Sequence, residues 1–254
     1  MLAIERRNAI LEKLQTEKRV VVGELSEMYH VSEETIRRDL DKLENDGYAI
    51  KSYGGAVLNE NSNFELPFNV RKNRNVLGKQ KIASLIGGMV NDGENIILDA
   101  SSTAGTIAKV LKDKKNITII TNSLEISIEL MEYPNCRVIT TGGETSSKYF
   151  ALVGPLTDRA IRAYYADRAI ISAKGLDMDA GFTDSEDRHA NNKLTMLQCA
   201  KQKILAVDSS KFDKIAFCKV GDLQDIDMIV TDKKPDDGWL RELKELNVEC
   251  VYPE

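Results

Sequence analysis

Histidine and cysteine are scarce in this 254-residue chain, which contains two histidines and four cysteines. The histidines, His30 and His189, lie far apart, so the sequence offers no set of partners for a zinc site or a Ser-His-Asp triad. No two cysteines are separated by only two residues, and each lies in or near an apolar stretch: Cys136, Cys199, Cys218 and Cys250. We therefore expect buried free thiols, no metal and no cofactor.

Long apolar runs are also missing. No stretch approaches the roughly 20 apolar residues that a membrane-spanning helix requires. The N-terminus carries charge within its first five residues and has no apolar signal core. We therefore expect a cytoplasmic chain with no membrane partner. Gly-x-Gly-x-x-Gly and Gly-x-x-x-x-Gly-Lys-Ser/Thr are absent as well, so nucleotide triphosphate hydrolysis has no support.

Residues 31–40, Val-Ser-Glu-Glu-Thr-Ile-Arg-Arg-Asp-Leu, have the pattern of a DNA-reading helix. Ser32 is an N-cap candidate, because its hydroxyl can accept from an unpaired amide of the first turn. Ile36 and Leu40 recur at helical spacing and would face a core. Another face then presents small hydroxyls and two arginines, which suits the DNA major groove. We predict that this helix contacts DNA through Ser32, Thr35, Arg37 and Arg38.

The flanking residues complete a winged helix-turn-helix. Residues 3–18 predict an amphipathic helix, 20–22 a small strand, and 24–29 a second helix that a tight turn joins to the third. Residues 48–58 then predict two short strands around a glycine-containing turn, which form the wing. From this wing, Lys51 and Tyr53 are expected to reach phosphates or the edge of the groove.

The charge of this segment is unusual for a DNA-binding domain. Residues 1–58 contain nine Lys/Arg and eleven Asp/Glu, a net charge of −2, whereas such domains are usually basic. Any basic footprint must therefore be local, formed by Arg37, Arg38 and Lys51 with Arg6 and Arg7. The alternative is a three-helix protein-binding module whose arginines are solvated or paired to Asp39 and Asp41.

From residue 79 onward, apolar runs alternate with helical stripes. This pattern predicts a mostly parallel sheet covered by helices. The predicted strands are residues 95–98, 117–120, 137–139, 168–171, 203–207 and 228–230. The fold class is therefore α/β, with a small N-terminal winged helix-turn-helix and a larger, mostly parallel α/β domain. We expect these domains at 1–58 and 78–254, joined by a polar linker at 59–77.

Polar residues follow every predicted strand, at the edge where open α/β sheets bind ligands. The segment 99–103 then opens a helix, and amides and hydroxyls at a helix N-terminus bind phosphate well. Lysines from other strand ends would add positive charge, and aspartates would accept from sugar hydroxyls. A purely structural role is the alternative, because such residues also cap helices and form turns. The predicted ligand-binding residues are Asp99, Ser101, Ser102, Thr103, Thr121, Asn122, Gly142, Gly143, Lys174, Asp208 and Lys211.

These segments resemble the DeoR-type bacterial transcriptional regulators. The similar stretches are Val31-Ser-x-x-Thr-Ile-Arg-Arg-Asp-Leu40, Gly54-Gly-Ala56, Leu98-Asp-Ala-Ser-Ser-Thr103, Lys174-Gly175 and Val207-Asp-Ser-Ser-Lys-Phe212. The resemblance implies a winged helix-turn-helix followed by a sensor domain related to sugar-phosphate isomerases. It also implies a regulator, usually a repressor of sugar-use genes, that responds to a phosphorylated sugar. Two positions depart from the family: it often has glycine where Ser101 stands, and it tends to place Glu near Lys193, where this chain has Asn191.

Three hypotheses for function follow. The first, which we favour, is a regulator without catalytic residues that binds a double-stranded DNA operator and senses a sugar phosphate. The second is a sugar-phosphate isomerase-like enzyme with an accessory DNA-binding head, since proton transfer between adjacent carbons needs a carboxylate and often a lysine. Its candidate residues are Asp99, Glu186, Asp208 and Lys211. The third is a regulator whose body mainly oligomerises and binds no ligand. A homodimer or homotetramer is expected, because helix-turn-helix proteins commonly read two symmetry-related half-sites.

Overall fold

The computed structural model describes residues 1–59 and 66–253, and the chain divides into two compact units, Met1–Arg74 and Asn75–Glu254. The first unit is a winged helix-turn-helix. Its elements are α1 (Ala3–Glu17), β1 (Arg19–Val21), α2 (Val22–Tyr29), α3 (Glu33–Asn45), β2 (Ala49–Ser52), β3 (Gly55–Leu58) and α4 (Phe68–Asn73). The three predicted helices, the small strand and the two-stranded wing are confirmed.

The first unit is built around one apolar core. Leu14 of α1, Leu25 of α2 and Ile36 of α3 are fully buried in it. The three strands form an antiparallel sheet in the order β1-β3-β2. His30 adopts a left-handed conformation with φ 53° between α2 and α3. This conformation makes the tight turn that separates the two helices of the motif.

The predicted linker at 59–77 differs from the structure. Residues 60–65 lie outside the described residues. α4 occupies part of the remainder, and Leu66 and Val70 are buried in the core of the first unit. The prediction was wrong here because the polar composition of residues 59–65 masked the apolar residues that follow. Burial of those residues against the head makes α4 part of the N-terminal unit.

The second unit is an α/β domain. Its first half contains α5 (Val76–Met89), β4 (Asn95–Leu98), α6 (Ser102–Leu111), β5 (Ile117–Thr121), α7 (Leu124–Leu130), β6 (Cys136–Thr140), β7 (Glu144–Ser146), β8 (Ala151–Val153) and α8 (Pro155–Ile161). Its second half contains β9 (Ala166–Ile171), β10 (Gly175–Asp177), β11 (Gly181–Asp184), α9 (Asp187–Gln198), β12 (Ala200–Ala206), β13 (Cys218–Gly221), β14 (Met228–Val230), α10 (Asp237–Glu245) and β15 (Glu249–Val251).

Within the described residues, seven of these strands form one sheet in the order β15-β14-β12-β9-β4-β5-β6. All six pairings are parallel. The six strands expected from the sequence are all present, so the mostly parallel α/β fold is confirmed. The seventh strand, β15, and the small antiparallel sheets β7-β8 and β10-β11-β13 were not predicted.

The four cysteines are free thiols; Cys136 and Cys199 are buried, and the other two are partly buried. Burial raises the pKa of Cys250 to about 11, so this thiol stays protonated at neutral pH. In the described parts of the chain, no group of three or more His, Cys, Asp or Glu side chains is arranged to hold a metal ion. None of the helices described is long and apolar enough to cross a membrane.

Candidate functional site

The start of α3 has the predicted cap. The Ser32 Oγ accepts a hydrogen bond from the Thr35 amide at 3.3 Å, and the two hydroxyl oxygens lie 2.9 Å apart. Glu33 and Glu34 occupy the first turn, where the positive end of the helix dipole stabilises carboxylates. The buried residues Ile36 and Leu40 fix the opposite face in the core. The exposed face of α3 is therefore held in a defined orientation.

Two arginines on this face already have partners. The Arg37 Nη2 lies 2.5 Å from Glu33, and the Arg38 Nε lies 3.3 Å from Glu34, both one turn earlier on α3. The two arginine side chains remain 53% and 77% exposed. Exposed pairs of this kind contribute only about 0.3–0.5 kcal/mol, so a DNA phosphate can replace the glutamates at small cost.

Asp39, on the buried side of α3, binds two arginines of α1. The Arg6 Nε lies 2.5 Å and the Arg7 Nη1 3.5 Å from its carboxylate, and Arg6 is itself buried. Arg6 and Arg7 therefore pair with Asp39, as the alternative interpretation allowed, whereas Arg37 and Arg38 pair with neither Asp39 nor Asp41. Arg6 is also removed from the predicted basic footprint, because it ties α1 to α3 inside the unit.

The wing presents the two predicted residues on its outer strand and its tip. Lys51 on β2 forms an ion pair with Asp41 of α3, and its amide donates to Glu44 at 2.8 Å. The hydrogen bond with Asp41 raises the pKa of the Lys51 amine, so the lysine keeps its charge. Tyr53 is fully exposed at the tip, beside Gly54 with φ +78°. Wing and α3 thus share one polar surface.

The strand order of the parallel sheet reverses between β4 and β9, which makes this place a topological switch point. From β4 the chain adds β5 and β6 on one side, whereas β9, β12, β14 and β15 extend to the other. The carboxyl ends of two strands at such a switch point diverge into separate loops, which makes the crevice where open α/β sheets bind ligands. Asp99 follows β4 and Ser172 follows β9, so both lie at this point.

Asp99 holds the two loops of the switch point together. One carboxylate oxygen accepts from the Ser101 amide at 3.2 Å and the Ser101 hydroxyl at 2.6 Å. The other oxygen accepts from the Ser172 amide at 3.2 Å and lies 3.2 Å from the Lys193 Nζ. Because both oxygens are occupied, Asp99 positions the site rather than offering an open acceptor for a sugar hydroxyl.

Lys193 of α9 is a site residue that the sequence prediction missed. Its buried amine donates to the Ser172 carbonyl at 2.6 Å and to the carboxylates of Asp99 and Asp184. Burial alone would lower the pKa of Lys193, but the charges of Asp184 and Asp99 outweigh burial and raise it. The only sequence signal was a lysine on a polar helix, which gives no sign that the strand ends surround it.

The N-terminus of α6 offers unused hydrogen-bond donors. Ser101 caps the helix by accepting from the Ala104 amide at 3.0 Å. Ser102 and Thr103 are buried, yet in the described part of the chain neither their amides nor their hydroxyls form a hydrogen bond. Two free amides and two hydroxyls at the positive end of a ten-residue helix form an anion-binding arrangement.

The neighbouring strand ends supply both structural and unused polar groups. The Thr121 hydroxyl donates to the Leu98 carbonyl at 2.7 Å, which ties β5 to β4. Asn122 is buried, and its side-chain oxygen has no hydrogen-bond partner among the described residues, although its amide group donates to Leu152 at 2.8 Å. The buried Thr141 hydroxyl at the end of β6 also has no partner in the same residues.

The two predicted glycines follow β6. A Cβ atom at Gly143 would lie 2.2 Å from the Thr157 hydroxyl oxygen and 2.7 Å from the Val153 carbonyl oxygen, and its φ is +140°. A Cβ atom at Gly142 would meet nothing within 4 Å. Gly143 is therefore required by the fold, whereas Gly142 leaves open space beside the strand end.

Three predicted residues lie toward the other half of the sheet. The Lys174 amide donates to the Thr183 carbonyl at 2.9 Å beyond the end of β9. Asp208 follows β12, two strands from β4, which places it about 10 Å from Asp99 at ordinary strand spacing. Burial would raise the pKa of Asp208, but the Lys211 charge and hydrogen bonds from Ser210 outweigh it and lower the pKa. The predicted ligand-binding residues therefore form two neighbouring groups. One follows β4, β5 and β6, and the other follows β9 and β12.

A winged helix-turn-helix joined to an α/β unit with a polar switch point defines a DNA-binding regulator with a ligand-sensing domain. Comparison with protein families agrees with this class. Residues 6–62 match the DeoR-like helix-turn-helix domain, and residues 74–233 match the DeoR C terminal sensor domain. The chain belongs to the DeoR family of transcriptional regulators.

Full-length relatives support this assignment. The HTH-type transcriptional regulator YulB of Bacillus subtilis is 38% identical over 99% of this chain and 97% of its own length. The glycerol-3-phosphate regulon repressor of Escherichia coli is 29% identical over 92% of this chain and 93% of its own length. A ribose 5-phosphate isomerase from Methanocaldococcus jannaschii aligns with 53% of each chain at 19% identity and a TM-score of 0.39, a likeness too weak to bear on activity.

Proposed function

We propose that this regulator represses carbohydrate-use genes and that a phosphorylated sugar bound at the switch point modulates its hold on DNA. The observation that carries the proposal is the start of α6, where Ser102 and Thr103 offer unused amides and hydroxyls in a buried position. A phosphate oxygen satisfies such groups and gains from the helix dipole. The relative that represses a glycerol-3-phosphate regulon is named for a phosphorylated three-carbon compound, which supports a ligand of this class.

The α3 helix and the wing carry the DNA contacts in this proposal. Arg37 and Arg38 exchange their glutamate partners for phosphates or base edges, while Ser32 and Thr35 approach the groove from the first turn. Lys51 and Tyr53 contact the backbone from the wing. A ligand can change this binding only through different affinities for the two states of the protein, so its effect on DNA equals the effect of DNA on ligand affinity.

The regulatory reading is favoured over the isomerase alternative. The chain belongs to a family of transcriptional regulators. The carboxylate of Asp99 and the amine of Lys193 are already engaged with each other and with backbone groups. An isomerase needs a carboxylate free to take a proton from the substrate. Incubation with pentose and hexose phosphates tests the alternative directly, and turnover would support it.

A thermal-shift experiment tests the ligand. Wild-type protein is heated with glycerol 3-phosphate, pentose and hexose phosphates, and the matching unphosphorylated sugars as controls. A ligand at about 100 times its dissociation constant stabilises the native state by about 2.7 kcal/mol, which is about 5–10 °C for a unit of this size. Absence of any shift with all phosphates at millimolar concentration would contradict the proposal and favour a body that mainly oligomerises.

A gel shift on the DNA upstream of the gene tests the DNA face. We expect Arg38→Ala to weaken binding about tenfold and to reduce the slope of log affinity against log salt by about one. Arg241→Ala is the matched control, since Arg241 is exposed on α10 in the second unit. Equal binding by wild type and Arg38→Ala at moderate salt would show that Arg38 is not a DNA contact.

We propose that the protein acts in the cytoplasm as a homodimer or homotetramer, because helix-turn-helix regulators commonly read two symmetry-related half-sites. Light scattering of the free protein and of its DNA complex gives the number of chains. A monomer in both would contradict the proposal.

A further inference from the structure

The face of α9 that carries Lys193 also carries an aromatic pair. His189 precedes Lys193 by four residues, so the two side chains lie on the same face of the helix. Lys193 joins that face to Asp99, and hence to the loop between β4 and α6. His189 is buried although imidazole is polar. Its position places a ring with two nitrogen atoms one helical turn from the switch point.

Tyr149 covers this histidine from the β7-β8 hairpin. The two ring centroids lie 3.7 Å apart, with 32° between the ring planes. Tyr149 is buried and packs in one cluster with Ala100 and Ala151. Ala100 lies between Asp99 and the Ser101 cap of α6. The aromatic pair therefore borders the same loop as the free donors of Ser102 and Thr103, but on the side of α9.

The groups at the switch point determine the orientation in which a phosphorylated ligand binds. The triad of Lys193, Asp99 and Asp184 carries one positive and two negative charges, and the amine donates to three acceptors. Lys193 therefore has no donor left for an anion, so the triad offers phosphate no hydrogen bond. The free amides and hydroxyls at the α6 N-terminus attract it. A phosphorylated ligand that enters here puts its phosphate at α6 and its uncharged end toward α9.

A buried acceptor lies on the same helix. Asn192 is 1% exposed, and its amide group donates to Asp158 at 2.6 Å. Its side-chain oxygen has no hydrogen-bond partner in residues 1–59 and 66–253. Buried polar atoms are nearly always paired in native proteins, so this oxygen is an acceptor with which a ligand hydroxyl on the α9 side can pair.

We propose that His189, backed by Tyr149, contacts the hydroxyl-bearing end of the ligand and determines which phosphorylated sugar the protein senses. This inference rests on the proposed function, because it assumes a phosphate at the α6 N-terminus. His189 supplies ring nitrogens as hydrogen-bond donor or acceptor, and Tyr149 fixes the ring plane. Sites built to hydrogen-bond a hydroxyl discriminate strongly between ligands, because a mismatched ligand leaves a buried polar group unpaired.

The test is calorimetric titration of His189→Phe with two kinds of probe: the sugar phosphate that stabilises wild type most, and inorganic phosphate. Phenylalanine keeps an aromatic ring against Tyr149, one atom larger than imidazole, and removes both ring nitrogens. We expect the sugar phosphate to bind about tenfold more weakly, the loss of one good hydrogen bond, and inorganic phosphate to bind within about twofold of wild type. His189→Gln is the second variant, since it keeps a polar group, and it should bind the sugar phosphate more tightly than His189→Phe.

Controls separate this inference from the proposed function. Gln198→Ala lies on the same helix, but Gln198 is exposed at its C-terminal end, so both probes should bind as to wild type. Ser102→Ala should weaken both probes together. Equal loss of both probes in His189→Phe, or no loss of either, would overturn the role of His189 while leaving the sensing function standing. Failure of wild type to bind any sugar phosphate would overturn both.

Discussion

Replacement of Lys193 by methionine tests the buried triad most directly. The change leaves Asp99 and Asp184 facing each other without their shared cation, in a place where the lysine side chain is 10% exposed and the two carboxylates are 1% and 4% exposed. Removal of one partner from a buried ion pair costs about 3–5 kcal/mol, because the remaining charge stays desolvated. For a unit of this size, the unfolding midpoint should fall by about 10 °C.

Two further variants make the measurement specific. Lys201→Met is the matched control, because Lys201 is 80% exposed and its pair with Asp167 lies on the surface; it should change the free energy of unfolding by less than about 0.5 kcal/mol. Lys193→Met/Asp184→Asn removes one carboxylate charge as well, so it should be more stable than Lys193→Met alone. Denaturant unfolding of wild type and of these three variants measures the differences. Equal stability of Lys193→Met and Lys201→Met would refute the argument that the triad is desolvated.

Three other predictions follow from local geometry. Ser32→Ala removes the α3 cap and should lower the free energy of unfolding of the first unit by about 1 kcal/mol, measured by denaturant unfolding. Ser32→Gly should lower it by only a few tenths of about 1 kcal/mol. Gly143→Ala should destabilise the second unit by at least about 2 kcal/mol because its methyl group meets Thr157 and Val153, while Gly142→Ala should cost less than about 1 kcal/mol; equal effects would contradict the steric reasoning. The pKa of Asp208 is lowered from its ordinary value of 3.8, so its stabilisation is present above pH 3.8 and lost as the pH falls below it; Asp208→Asn should flatten this part of the stability profile.

The DNA-reading unit was largely predictable because its determinants are local in the sequence. Three of its features depend only on residues that are close in the sequence. They are the cap at Ser32, the apolar stripe of Ile36 and Leu40, and the glycine turn of the wing. The partners of Arg37 and Arg38 were harder to predict. α3 carries five carboxylates, and only side-chain geometry shows that Glu33 and Glu34 bind the two arginines while Asp39 turns inward to Arg6.

The sensor unit was predictable strand by strand but not in its spatial order. Each apolar run indicates a strand, yet nothing in the sequence states that β9 returns to pair with β4. That pairing creates the switch point and brings Lys193 to Asp99 across 94 residues of chain. The role of Lys193 therefore depends on long-range packing, which local patterns do not report. The same holds for the contact between Tyr149 and His189.

The acidic balance of residues 1–58 has a consequence for how the protein finds its operator. Non-specific affinity for DNA comes from basic side chains that displace counterions from phosphates, and here acidic side chains outnumber basic ones by two while Arg6 is buried against Asp39. A genome offers about 10⁶–10⁹ competing sites, and a strongly basic head would spend most of its time on them. We expect this protein to leave random DNA quickly, so that few molecules per cell suffice to keep an operator occupied.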